Sequence, residues 1–174
     1  MPSETQICDS MHEAAVRDGA QGGMDDVYSK PGHLIRRLQQ IAVSVFAQEC
    51  AGHDITPVQY AALVAVRDNP GLDATRIAAL IDFDRSTVGN VLERLEGKGL
   101  IERRANPQDR RVKILKLSRR GAKLLSDCEP AVQRAQARML DPLSAAQRNE
   151  FLNNMRRIIA RADNVPKGGP NGAS

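Results

Sequence analysis

The sequence predicts a mainly α fold with one small β-hairpin, and three observations predict it. Apolar residues recur at helical spacing in long segments at both ends of the patterned region. Cap-forming residues stand directly before several of these segments. Near residues 100–117 the spacing changes to strand-like alternation around a turn built on Asn106-Pro107.

The elements follow in order. Residues 1–28 lack helical periodicity and read as a flexible arm, with a nascent helix near Met11–Arg17. Pro31 suits the first turn of a helix, and Leu34, Ile35, Leu38, Ile41, Ala42, Val45 and Phe46 give it a broad apolar face to about residue 50. Gly52 is the expected C-terminal cap. Thr56-Pro57-Val58-Gln59 is a capping box that opens a second helix to about Arg67. Asp68-Asn69-Pro70-Gly71 is a turn. Asp73 caps a short helix to Ile81, and Asp84 caps the next, which Gly97 and Gly99 stop. "LIERRA" and "VKILKL" are two strands joined by "NPQDRR". Ser118 caps a long helix in which Pro130 predicts a kink or break. Ser144 and Gln147 form a second capping box before a last helix to about Ala162. Residues 164–174 read as a flexible tail, leaving 29–163 as one domain.

Charge singles out the hairpin. Residues 101–120 carry eight arginines and lysines against Glu102 and Asp109, a local +6 in a chain of net +4. The rest of the chain is therefore net negative. Such localised charge is either a solvated face or the footprint of a polyanion. The helix before the hairpin bears on that choice. Val88, Val91, Leu92, Leu95 and Ile101 are spaced to face a core, which leaves Arg85, Ser86, Thr87, Gly89, Asn90 and Arg94 away from it. Short hydrogen-bonding side chains on the first turns of a helix suit the major groove of duplex DNA, where arginine pairs with guanine and asparagine with adenine. At the hairpin tip, Asp109 and Arg111 share one side of an extended segment. The expectation is that the carboxylate orients Arg111 toward a minor groove while Arg110 meets phosphate; the bland alternative is a weak surface ion pair.

At this point "STVGNVLERLEGKGLIERRANPQDRRVKILKLSRRG" resembles the winged helix-turn-helix of MarR-type transcriptional regulators, and "ITPVQYAAL" resembles that family's second helix. The resemblance covers about residues 31–163. It implies a winged helix-turn-helix domain whose terminal helices (31–50 and 118–163) form a homodimerisation bundle. It implies a recognition helix at 85–97 and a wing at 104–113. Asp109 and Arg111 carry over from the D-x-R wing motif; Arg85, Ser86, Thr87 and Asn90 carry over as groove-facing residues. The apolar residues Leu34, Leu38, Phe46, Leu124, Leu125, Met139, Leu140, Leu143, Phe151, Met155, Ile158 and Ile159 lie outside the winged segment. They suit an intersubunit bundle, or an intrachain one.

His33, Arg37, Gln40 and Ser44 form a polar lane beside the first helix's apolar stripe, with Arg36 further round and Tyr60 on the second helix. A cation on the rim of an apolar face can hold a small aromatic carboxylate. The family resemblance points the same way, toward an effector such as a hydroxylated benzoate or nicotinate that releases a repressor from a near-palindromic operator. The same lane reads equally as a solvated edge, or as arginine contacts to DNA phosphate or a second subunit.

Other functions have less in their favour. Cys8, Cys50 and Cys128 show no metal-ligand spacing and no disulfide framework, and a redox-sensing regulator of the same fold is an alternative. A helical protein-interaction module is another. His12, His33 and His53 show no ligand spacing, and GxSxG, P-loop, GxGxxG and HExxH motifs are absent, so neither an enzyme nor a cofactor is expected. No apolar run approaches the ~18 residues of a membrane helix, and no signal peptide is evident, so a cytoplasmic protein is expected.

Overall fold

The computed structural model describes residues 24–109 and 111–163. They fall into two compact units, one ending at Ser44 and one beginning at Val45.

The first unit holds α1 (Met24–Ser29) and most of α2 (Pro31–Glu49). Residues 24–28, expected in the arm, are thus helical. Lys30 Nζ lies 2.8 Å from Asp26 Oδ2, and Ser29 Oγ donates to the Asp26 carbonyl, so local polar contacts fix this turn. The nascent helix expected near Met11–Arg17 lies outside the described residues. Leu34, Ile35, Leu38 and Ile41 of the α2 stripe are 42–61% exposed, as are Val27 and Tyr28 on α1 at 40% and 49%.

In the second unit, a 3₁₀ turn (Ala51–His53) leads to α3 (Pro57–Asp68), α4 (Ala74–Leu80), α5 (Arg85–Gly97), β1 (Ile101–Ala105), β2 (Lys113–Leu117), α6 (Arg119–Met139) and α7 (Ala145–Asp163). The caps form as expected. Thr56 and Gln59 close a reciprocal box, as do Ser144 and Gln147, while Asp73, Asp84 and Ser118 each accept a backbone N–H from the helix they begin. Gly52, expected as the cap of α2, lies inside the 3₁₀ turn, which Asp54 closes with a left-handed φ of 46°. Its carboxylate lies 2.7 Å from Lys98 Nζ, a long-range pair at the surface.

Leu63, Ile77, Leu92, Leu95 and Leu115 are fully buried and knit α3, α4, α5 and β2 into one core. Each contributes on the order of 1.5–3 kcal/mol by leaving water. The strands are antiparallel, with Ile101 opposite Leu117 and Ala105 opposite Lys113. The α3–α4 turn joins them: Leu115 N–H donates to the Leu72 carbonyl (2.9 Å), Gly71 N–H donates to the Leu115 carbonyl (3.1 Å), and Asp73 bridges Ile114. That clamp seats the hairpin on the helices, and the sequence reading saw only a turn there.

Helix α6 continues through Pro130, so of the kink or break expected there, no break occurs. Cys128 and Ala131, Val132 and Ala135 are buried on either side, and this packing holds the helix together despite one lost backbone bond. Glu49 at the end of α2 accepts from Arg134 (3.0 Å) and Arg138 (3.2 Å) on α6. The Arg134 hydrogen bond is the main reason its carboxyl is held below the usual range. Phe46 and Leu125, counted among intersubunit residues from the sequence, are buried within the chain. By contrast α7 buries no residue, and Ile158 and Ile159 are more than half exposed.

Candidate nucleic-acid interface

Helix α5 buries Val88, Val91, Leu92 and Leu95 and turns Arg85, Ser86, Asn90 and Arg94 to solvent, with Thr87 half-buried. The helix is held by both ends. Gly99 adopts φ 69° after its last turn, where a side chain would be strained, and sends the chain into β1. At the start, Asp84 Oδ1 accepts from the Thr87 amide (2.8 Å) and from the Ser86 hydroxyl (2.6 Å), while Asp84 Oδ2 accepts from the Thr87 hydroxyl. The Ser86 hydrogen bond, followed by those from Thr87, holds the Asp84 carboxyl far below the ordinary carboxylate range. The two hydroxyls that the sequence offered as free groups are therefore engaged through their protons.

The hairpin tip is a built turn. Asn106 N–H donates to the Val112 carbonyl (2.9 Å), Val112 N–H to the Asp109 carbonyl (3.0 Å), and Gln108 N–H to Asn106 Oδ1 (3.0 Å). Asp109 Oδ1 accepts from the backbone N–H of Arg111 at 3.0 Å. This differs from the expected clamp on the Arg111 guanidinium: the carboxylate fixes the backbone, and no ion pair joins the two side chains among the described residues. Arg111 is exposed. Arg110 lies outside the described residues. Of the other cationic residues, Arg103 Nε is 3.0 Å from Glu96 and Arg104 Nη2 is 2.6 Å from Glu102. Those two are neutralised from within, so among the described residues the outward charge of these elements rests on Arg111, Lys113 and Lys116 on the hairpin and on Arg85 and Arg94 on α5.

The candidate effector residues separate by unit. In the first, His33, Arg36, Arg37 and Gln40 line one hollow of about 610 Å³ together with Leu34 and Tyr28. The Tyr28 and His33 rings meet edge to face with centroids 5.1 Å apart. Sequence reasoning missed Tyr28 because it assigned that segment to the arm. In the second unit, Tyr60 donates its hydroxyl to Glu129 (3.0 Å), which also accepts from Gln133 (2.7 Å). Tyr60 lines another hollow, of about 480 Å³, with Val64, Leu80 and Ile81. Burial pushes the Cys50 and Cys128 thiols up, the latter to about 11, so neither holds the thiolate an oxidant sensor needs at neutral pH. Cys8 lies outside the described residues. Among the described residues no group of three or more metal-ligating side chains occurs, and no helix is long and apolar enough to cross a membrane.

Comparison with known proteins agrees with this geometry. Residues 55–113 match the model of the MarR family. A proposed transcriptional regulatory protein for the hcr operon of Thauera aromatica is 33% identical over 136 residues, covering 78% of this chain and 82% of that protein. The solved structure of a transcriptional repressor, CouR, bound to a 23-mer DNA duplex superposes with a TM-score of 0.73 at 28% identity, covering 80% of this chain and 99% of that one. Bordetella bronchiseptica BpsR, whose DNA binding is regulated by 6-hydroxynicotinic acid, superposes with a TM-score of 0.72 at 27% identity, covering 75% and 94%.

Proposed function

This chain belongs to the MarR family of transcriptional regulators, and from that premise we propose that it is a homodimeric repressor released from a near-palindromic operator by a small aromatic carboxylate. The observation that carries the DNA reading is the pairing, in one unit, of an exposed polar helix start with an arginine-tipped hairpin clamped to the same core. The helix supplies base-edge contacts and the tip supplies cations to phosphate or the minor groove. A twofold partner is supported by the apolar residues left exposed on α2 and α7, since isolated apolar faces of that length are covered in stable assemblies.

Two experiments test these points. Operator binding should weaken steeply with salt, and Arg111→Ala should weaken it by about 1–2 kcal/mol, or roughly tenfold, with no change in melting temperature. Unchanged affinity in that variant would remove the hairpin tip from the interface.

The effector reading is supported by the hollow on the first unit, where Arg36 and Arg37 can take a carboxylate and Tyr28, His33 and Leu34 can take a ring. Its chemistry parallels the 6-hydroxynicotinic acid that regulates BpsR. Titrating hydroxylated benzoates and nicotinates into the protein–operator complex should release DNA for at least one compound. Arg37→Ala should raise the required concentration by about tenfold, the loss expected for one charge-assisted contact. A full response in the variant would exclude Arg37.

A further inference from the structure

A hydroxyl carries one proton and two lone pairs. At the start of α5 both available protons are already committed. The Ser86 hydroxyl donates to Asp84 Oδ1 and the Thr87 hydroxyl donates to Asp84 Oδ2, while the Thr87 amide also donates to Oδ1. Asp84 is ionised under these hydrogen bonds and can only accept. What Ser86 and Thr87 have left for a partner is therefore lone pairs.

This polarity has a consequence in the major groove. Adenine presents an N6 amino donor and cytosine an N4 amino donor, while guanine and thymine present carbonyl acceptors there. An oxygen stripped of its outward proton is attractive to the amino bases and repulsive to the keto bases. It is equally unable to hold a phosphate, which needs donors. Arg85 and Arg94, with no acceptor atom in their guanidinium groups, carry the opposite polarity on the same helix.

We infer that Asp84 sets the base specificity of α5: by taking the protons of Ser86 and Thr87 it makes them acceptors that select adenine and cytosine over guanine and thymine in the strand they face. Asp84 acts here as a positioning residue, through its two neighbours. The inference rests on the DNA-binding reading above and adds to it which bases that surface prefers.

The test is selection of bound duplexes from a random-sequence library by the full chain. Ser86→Ala and Thr87→Val identify the operator positions these hydroxyls read, as the positions whose preference relaxes. Wild type should favour adenine or cytosine there by about tenfold, the discrimination expected of a base-edge contact. Asp84→Asn keeps a good helix cap but offers an amide donor, which turns at least one hydroxyl proton outward. In that variant the preference should fall below about threefold or reverse, while positions read by Arg111 stay as in wild type and the protein remains cooperatively folded. A wild-type preference for guanine or thymine at those positions would overturn the inference, as would an unaltered preference in Asp84→Asn or no relaxed position in the hydroxyl variants. If wild type enriches no sequence at all, the DNA-binding reading falls, and this inference with it.

Discussion

Gly121→Ala is expected to destabilise the protein by about 3 kcal/mol, the cost of forcing atoms into a site with no room. A Cβ at this position would lie 2.2 Å from the Leu100 carbonyl oxygen and 2.8 Å from Leu117 Cδ1. The flexible leucine end can move; the carbonyl cannot. Leu100 O already accepts the Ser118 amide (3.0 Å), and Ser118 Oγ donates to Gly99 O (2.7 Å) while accepting the Gly121 amide (3.0 Å). The first turn of α6 is thus pressed onto the exit of α5 and the root of the hairpin. Any shift that relieved the clash would break these bonds. The same substitution at Gly97 is the control, because nothing lies within 4 Å of its Cβ and its backbone is helical. There alanine should be neutral or stabilise by up to about 1 kcal/mol. Urea unfolding of the two variants checks the contrast. Equal stabilities would mean that the α5–α6 junction is looser than its contacts imply.

The sequence was legible where the physics is local. Caps depend on three or four consecutive residues, so Thr56 with Gln59, Ser144 with Gln147, Asp73, Asp84 and Ser118 could all be named in advance. The core face of α5 followed from its period. What could not be read depended on distant partners or on a choice between equivalent local ones. The pairing of Leu72 with Leu115 joins residues far apart in sequence through backbone atoms that leave no side-chain signature. The need for glycine at 121 arises from Leu100, on the preceding element. Asp109 had two acceptable donors within two residues of it, the guanidinium and the amide of Arg111, and spacing alone does not choose between them. Ser86 lies on the helix surface as expected and Thr87 is half-buried, but the direction of their protons depends on a carboxylate that sequence identified only as a cap. Pro130 was read by its intrinsic penalty, which the buried residues around it outweigh.

Gly89→Ala is expected to move stability and DNA affinity in opposite directions. Gly89 sits mid-helix in α5, beside Ser86 and Asn90, with helical backbone and no atom within 4 Å of the Cβ that alanine would add. Nothing inside the chain requires glycine there. Alanine in that setting favours the helix by about 0.8–1 kcal/mol, so melting should occur at higher temperature. On the proposed DNA-binding reading, the open space at Gly89 leaves room for a partner approaching from outside. A recognition helix that lies deep in the major groove brings its backbone close to base edges, and an added methyl group on that face holds it off. Crowding a close-packed contact by one carbon costs about 1–3 kcal/mol, so operator affinity should fall by about five- to 150-fold. The salt dependence of binding should keep its slope, because no phosphate contact is removed. That combination separates a steric block from lost charge or lost folding, which would lower the slope or the melting temperature respectively. Operator affinity equal to wild type in a stabilised Gly89→Ala protein would show that this flank of α5 faces solvent in the complex and that the helix reads DNA from its other edge.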